Sequence, residues 1–308
     1  MIRTTPLVAP AGAAAARLGS SVALKLENLQ RTGSFKLRGA AAAVAALPAS
    51  RRAAGVVAAS AGGHGAGMAL ACARAGVRCT VVVGATSPEV KRAAIAALGA
   101  ELIVEGADYD QAEAAARALA RERGAHFVSP FDDDDVIAGN GGTLAAELAG
   151  QVADLARVVV PVGGGGLIAG LANALAPRGV SIIGVQPELN CAMHESLARG
   201  REVTDYRGRP TIADALAGDA VCARTFDACA RHVESIALVS EADIRRAVAF
   251  LYREVGTIAE PSGAVAVAGF LAGAVSPARS GITVAIVSGG NIDPDLLDDI
   301  LAGPSSPS

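Results

Sequence analysis

Chemistry in this chain starts with a lysine. Among 27 lysines and arginines only Lys25, Lys36 and Lys91 are lysines, and lysine, unlike arginine, can form a Schiff base with a carbonyl. Lys36 stands in Thr32-Gly33-Ser34-Phe35-Lys36-Leu37-Arg38-Gly39-Ala40, behind an alternating, strand-like run at 22–28 and ahead of an alanine-rich helical pattern at 40–47. A strand-to-helix junction of this kind can aim a side chain into a cleft. Gly33 lets the backbone turn tightly and Ser34 suits a helix N-cap. The competing reading is a surface lysine near a helix start.

Three glycine-rich turns follow predicted strands: Ser60-Ala61-Gly62-Gly63-His64-Gly65-Ala66-Gly67, Pro161-Val162-Gly163-Gly164-Gly165-Gly166-Leu167 and Val287-Ser288-Gly289-Gly290-Asn291. Four consecutive glycines ahead of a helix let several backbone N–H groups converge on one anion, and the helix N-terminus adds partial positive charge. That suits a phosphate; a hinge or tight packing turn is the alternative. Gly164, Gly166 and Ala169 also fit a dinucleotide fingerprint, but the next predicted strand ends in Gln186 instead of an acid. No Gly-Lys-Ser/Thr follows, which excludes a P-loop.

The elements that must position these turns alternate. Strands are expected at 56–60, 78–83, 101–105, 126–128, 157–162, 180–186, 235–239 and 282–287. Helices are expected at 68–75, 88–98 with Pro88 at the first position, 108–123, 136–148, 166–175, 241–255 capped by Ser240, 262–271 and 294–301. Residues 187–220 look less regular and 303–308 read as a frayed tail. Apolar strands alternating with helices imply parallel sheets covered on both faces, with ligands at the carboxyl ends of strands. No linker or internal repeat divides the chain. A second domain is most naturally inserted, 53–133 within 1–52 and 134–308.

Composition removes other classes. The 308 residues, 52% hydrophobic, can bury one large or two modest cores. A net charge of −3 without a long basic run, and 3% aromatics, argue against nucleic acid as a partner. No run of 18 apolar residues predicts a membrane span, and the N-terminus lacks a signal-peptide pattern. The five cysteines, Cys72, Cys79, Cys191, Cys222 and Cys229, form no CxxC pair and are odd in number, which points to a reduced, cytoplasmic protein. The histidines form no HExxH arrangement.

Taken together, the lysine and the glycine turns resemble the fold-type II pyridoxal-phosphate enzymes (tryptophan synthase beta-like), in the threonine/serine dehydratase and serine racemase branch. The matching stretches are 26–40, 60–67, Pro130-Phe131-Asp132-Asp133, Val136-Ile137-Ala138-Gly139, 163–167, Thr211-Ile212-Ala213-Asp214, Glu260-Pro261-Ser262-Gly263-Ala264 and Ser288-Gly289-Gly290-Asn291, in family order and across nearly the whole chain. The resemblance implies an α/β fold of two doubly wound domains with open twisted sheets, pyridoxal 5'-phosphate as cofactor and a homodimer. It makes Lys36 the Schiff-base lysine and the base at the substrate Cα. Gly163, Gly164, Gly165, Gly166 and Leu167 would cradle the phosphate, Ser288 would meet the pyridine nitrogen, and Phe35 would lie beside the ring. Ser60, Ala61, Gly62 and His64 would receive the carboxylate of a small amino-acid substrate. Gly63 and Glu260 would also line the cofactor. Glu260 reads equally as an ordinary charged residue before a helix started by proline.

The chain departs from the family pattern in places. Gly63 stands where the family usually has an asparagine that contacts the 3'-oxygen of the cofactor. Ala61 stands where serine racemases carry a serine, which favours elimination over racemisation. The positions of a divalent-cation site in some relatives are Gln186, Asn190 and Ala192, which lack two carboxylates, so no metal is expected there. Asp132-Asp133-Asp134-Asp135 reads as a solvated, helix-starting acidic turn. The chain ends soon after Ser288, so the C-terminal regulatory domain of biosynthetic threonine deaminases is not expected. The reading that follows is an ammonia-lyase eliminating the β-hydroxyl of L-threonine or L-serine. A hydroxyectoine-utilisation dehydratase, a 3-hydroxyaspartate ammonia-lyase, an amino-acid racemase and a non-catalytic cofactor or amino-acid binding protein stand as alternatives.

Overall fold

The computed structural model describes residues 1–218 and 221–303; the expected tail beyond Gly303 lies outside the described residues. Among the described residues ten strands form two sheets. They are β1 Leu7–Val8, β2 Val22–Leu26, β3 Val56–Ala59, β4 Cys79–Val83, β5 Glu101–Val104, β6 His126–Phe127, β7 Leu155–Pro161, β8 Ser181–Pro187, β9 Ser235–Val239 and β10 Ile282–Val287. The six-stranded sheet has the order β1-β2-β10-β7-β8-β9 and the four-stranded sheet the order β5-β4-β3-β6. Every pairing is parallel except β1 with β2. The antiparallel edge strand β1 corrects an all-parallel expectation; two residues are too short to show periodicity.

The last strand lies in the middle. β10 is inserted between β2 and β7, so the carboxyl ends of three neighbouring strands open on one place. Val287 at the end of β10 pairs with Leu26 at the end of β2. Helices cover both faces: buried residues of Pro261–Leu271 join one core layer, and those of Gly166–Leu175 join the other.

Several elements differ from the sequence reading, each for a packing reason. All five residues of β2 are buried, so the expected alternation fails at Lys25. Lys25 is tolerated there because its ammonium donates to Glu147 at 2.5 Å, Gln151 at 2.7 Å and the Thr5 carbonyl at 2.8 Å. The helix after β3 spans Gly63–Ala75, not 68–75. Its glycines are weak helix formers, costing about 1 kcal/mol each against alanine. They are required by close approach: a Cβ at Gly67 would lie 3.3 Å from the Leu37 backbone. Pro88 caps the next helix, Glu89–Ala97, instead of opening it. The helix expected at 136–148 runs from Asp134 to Gln151 through a π-helical turn, Ala138–Gly142, which places Asn140 to accept from the Gly39 N–H at 2.8 Å. Short helices Gly12–Leu18, Ala49–Ala54, Ala192–Arg199 and Ala223–His232 were not resolved by pattern. The capping box at Ser240 and Asp243 is present, as Ser240 suggested.

Candidate active site

Lys36 opens the helix Lys36–Ala46, which begins four residues earlier than the alanine pattern. Phe35 occupies the N-cap position and Ser34 caps nothing, correcting the role expected for Ser34. The seat of this helix is rigid. Arg38, fully buried, donates to both Glu27 oxygens at 2.7 and 2.8 Å and to Glu147 at 2.8 Å. Residues 33–35 are stitched to the turn after β10: Ser34 bridges Gly289, the Phe35 N–H donates to the Ser288 carbonyl at 3.1 Å, and Gly290 N–H donates to the Gly33 carbonyl at 2.9 Å. Lys36 and Ser288 are therefore neighbours, although 252 positions separate them in the chain.

The Lys36 amine donates to the Pro130 carbonyl at 3.2 Å and lies 5.2 Å from the centre of the Phe35 ring. Lys36 is half-buried with its amine turned inward to Pro130, which argues against the surface-lysine reading, and its dense surroundings push its pKa from 10.5 down to about 8, against the opposing pull of the Glu260 carboxylate. Glu260, at the N-cap of Pro261–Leu271, is pushed up to about 7 by burial and by the Asp214 charge, with Lys91 and Lys36 opposing. Its carboxylate lies against Gly289, where a side chain would collide with it. Asp214 and Lys91 were not singled out by sequence; they form an ion pair at 3.3 Å.

Pro130 leads to the glycine turn. A Cβ at Gly164 would lie 2.7–2.9 Å from the Phe131 ring, and one at Gly163 would lie 3.0 Å from the Leu216 Cα. Gly165 has φ +90° and faces Thr225 and Met193. Packing alone thus requires glycine in this turn, which is the alternative weighed from sequence. The helix it opens, Gly166–Leu175, still presents the unbonded N–H groups of its first turn at the carboxyl end of β7. Leu167 is buried in the layer behind.

The Ser60–Gly67 stretch is mostly the first turn of a helix instead of a loop. Gly62 N–H donates to Ser60 Oγ at 3.1 Å, so the N–H groups of Gly63, His64 and Gly65 are the open ones. Ala61 is half-buried and contributes no hydroxyl. His64 is buried, and its Nε2 faces the Val128 carbonyl at 3.1 Å. Burial and the Lys36 charge push its pKa down to about 3, so the ring is neutral, Nε2–H donates to that carbonyl and Nδ1 is a bare acceptor without a partner.

Away from the site, Asp133 caps Asp134–Ile137, and Asp132 and Asp134 pair with Arg224 at 3.7 and 3.2 Å, as a solvated acidic turn would. Gln186 accepts from the His194 N–H at 2.8 Å. Among the described residues no group of three or more His, Cys, Asp or Glu side chains could hold a metal, and no helix is long and apolar enough to cross a membrane.

Pyridoxal phosphate fits what is present. A lysine of lowered pKa stands beside two buried polar atoms without partners, Ser34 Oγ and His64 Nδ1, and two helix N-termini open on the same region. A lysine of lowered pKa at the switch point of an α/β fold has the chemistry to form a Schiff base with a carbonyl cofactor. The family described as pyridoxal-phosphate dependent enzyme matches residues 1–289, and the chain belongs to it. Pyridoxal phosphate is its cofactor, and the fold is the expected fold-type II α/β arrangement.

An L-threonine ammonia-lyase of Thermotoga maritima is 43% identical over 286 residues, 92% of this chain and 70% of that protein. The processed form of threonine deaminase isoform 2 from Solanum lycopersicum superposes with a TM-score of 0.91 at 36% identity, over 98% of this chain and 89% of that one. Serine racemase from Dictyostelium discoideum gives 0.87 at 32%, over 95% and 94%.

Proposed function

We propose that this protein is a pyridoxal-phosphate-dependent ammonia-lyase that eliminates the β-hydroxyl of L-threonine or L-serine, giving a 2-oxo acid and ammonia. The observation that carries the reading is the placement of Lys36: its stem lies against Gly63 in the first turn of Gly63–Ala75, and its amine donates to the Pro130 carbonyl, which lies against Gly166 at the start of Gly166–Leu175. The names of the similar proteins support the substrate class, and Ala61, with no hydroxyl, favours elimination over racemisation.

When bound, pyridoxal phosphate supplies an electron sink for the pair left at the substrate Cα. The first-turn N–H groups at Gly166 and Leu167, with the turn Gly163 to Gly165, would hold its phosphate. Ser288 would face the ring nitrogen, and Phe35 would flank the ring. The open N–H groups of Gly63, His64 and Gly65 would bind the substrate carboxylate, with Ser60 shaping the turn. Lys36 Nζ, neutral in a useful fraction at physiological pH, would take the Cα proton, and the β-hydroxyl would leave as water with a proton returned from Nζ; one water is then consumed as the released unsaturated amine hydrolyses to 2-oxo acid and ammonia. Neutral His64 adds no positive charge that would raise the cost of protonating Lys36 Nζ. Glu260, ionised in part near neutrality, favours the protonated amine that this transfer creates.

We also read residues 53–133 as a small inserted domain and 1–52 with 134–308 as the cofactor-holding one; the separate sheet of β3 to β6 supports the division. A cytoplasmic setting completes the proposal, supported by five free cysteines, four of them buried, and a homodimer is carried over from the family resemblance.

The test is release of 2-oxo acid and ammonia by cofactor-saturated protein from L-threonine, L-serine, D-serine and L-threo-3-hydroxyaspartate. Matched release of both products from L-threonine or L-serine is expected, and Lys36→Ala is expected to cut it by at least about 10²–10⁴-fold. Release from neither, or wild-type turnover in the variant, overturns the reading.

A further inference from the structure

Ser34 is 3% exposed and its hydroxyl has no hydrogen-bond partner. A buried hydroxyl left unsatisfied is costly, so such an atom calls for a partner outside the protein. Its place is specific. The residue is extended, with φ −159° and ψ 162°, and is pinned by its bridge to Gly289. A Cβ built on Gly63 would lie 2.5 Å from Ser34 Oγ and 3.5 Å from Lys36 Cγ. The hydroxyl therefore fills the space that any side chain at position 63 would need, beside the stem of the lysine. Gly63 and the orientation of Ser34 depend on each other.

The cofactor offers three polar attachments: a phosphate, a ring nitrogen, and a phenolic oxygen on the carbon next to the one bearing the carbonyl. Lys36 bonds at that carbonyl carbon, so the phenolic oxygen is the attachment chemistry places nearest the lysine. In the proposed reading the phosphate takes the N–H groups of Gly166–Leu175 and the nitrogen takes Ser288. We propose that Ser34 is a cofactor-contacting residue whose hydroxyl, in the space left by Gly63, donates a hydrogen bond to the phenolic oxygen of pyridoxal phosphate. The inference rests on the reading of Lys36 as the cofactor lysine. A hydrogen bond donated to that oxygen favours its ionised form, so Ser34 sets the pH at which the lysine-bound cofactor changes protonation state.

The experiment is a pH titration of the visible absorption band of the cofactor-loaded protein, without substrate, together with cofactor affinity measured by fluorescence. Ser34→Ala is expected to move the transition upward by about one to two pH units, since a hydrogen bond to an ionised group is worth that much, and to weaken cofactor binding about tenfold. Gly63→Ala keeps the serine but drives its hydroxyl aside, and is expected to move the transition in the same direction. The double variant Ser34→Ala with Gly63→Asn places an amide donor in the vacated space and is expected to bring the transition back. A loss of melting temperature with the transition unmoved gives Ser34 a packing role and overturns the proposal. A wild-type band that Lys36→Ala removes but Ser34→Ala leaves unmoved overturns the role of Ser34 alone. A wild-type protein with no Lys36-dependent band overturns the cofactor reading as well.

Discussion

Replacing Lys36 with methionine should stabilise the cofactor-free protein, and only below alkaline pH. The ammonium is forced into dense surroundings that lower its pKa from 10.5 to about 8, a penalty on the charged form of about 3 kcal/mol. The folded state binds fewer protons than the unfolded chain between those two values. Wild-type stability therefore rises with pH across that window, and the penalty is fully present below about pH 8. Methionine has a similar length, fills the space and carries no charge. The variant also loses the bond from Nζ to the Pro130 carbonyl, worth about 1 kcal/mol. Removing Lys36 further withdraws a cation that holds down the pKa of Glu260. The net gain at pH 7 is about 2 kcal/mol, roughly a 4 °C rise in melting temperature. Calorimetry of the two cofactor-free proteins at pH 7 and pH 10 reads it directly. The gain should shrink strongly at pH 10, because most of the wild-type penalty has by then been relieved. A methionine variant less stable than wild type at pH 7, or a difference that does not change with pH, would refute the claim that burial strains this lysine. The same perturbation explains reactivity. At pH 7 an ordinary lysine is neutral in roughly 1 part in 3000, and one with a pKa near 8 in roughly 1 part in 11.

Other outcomes follow from neighbouring geometry. Gly165→Ala puts a side chain at φ +90° against Thr225 and Met193; it should cost about 2–3 kcal/mol in thermal unfolding and weaken cofactor phosphate binding measured by fluorescence. Arg38→Leu leaves Glu27 buried without its two guanidinium bonds and should cost about 3–5 kcal/mol in urea unfolding. Glu260→Gln should raise the melting temperature of the cofactor-free protein at pH 8 but not at pH 4. The raised carboxyl pKa of about 7 destabilises the fold above that value, and the penalty disappears below the unfolded value of 4.5.

Where sequence patterns are punctuated by residues with strong local preferences, they read the fold closely. Gly166–Leu175, Ser235–Val239 and Ile282–Val287 fall at their expected bounds because glycine, serine and apolar β-branched runs mark their ends. The reading failed where tertiary contact overrides propensity. Glycine at 63, 65 and 67 argues locally against helix, yet close approach requires each: Gly63 faces the Ser34 hydroxyl, Gly65 the Ser60 carbonyl and Gly67 the backbone of Lys36 and Leu37. Lys25 looked like the polar half of an alternating strand, yet a carboxylate from Glu147 allows it to be buried. Lys36 and the glycine turns stood out in the sequence because few residue types can form a Schiff base or bare so many backbone N–H groups, and the fold brings Lys36 against Gly63 and the turn after β10. Asp214, which helps raise the Glu260 pKa, was visible only as part of a matching stretch; its effect depends on a distance no local pattern contains. Ser34 was legible as a polar residue at a helix start, but its unsatisfied hydroxyl exists only because Gly63 is bare.

One helix carries both the strain and its support. Lys36 at the start of Lys36–Ala46 is held with its charge partly desolvated, which by itself favours local opening of the first turn. Two residues on, Arg38 points to the opposite side and is fixed by Glu27 and Glu147, which also hold Lys25 of β2 and Thr5 near the N-terminus. Gly39 and Asn140 close the third side through the π-helical turn. Opening the first turn would require disturbing a buried network of four charges, whose unpaired members would each cost several kcal/mol. The network therefore confines Lys36 to the orientation in which burial makes its amine reactive. This division of labour accounts for the motif as a physical unit: a lysine for chemistry, a glycine and a small helix face for close approach, and an arginine that makes the strained position the stable one.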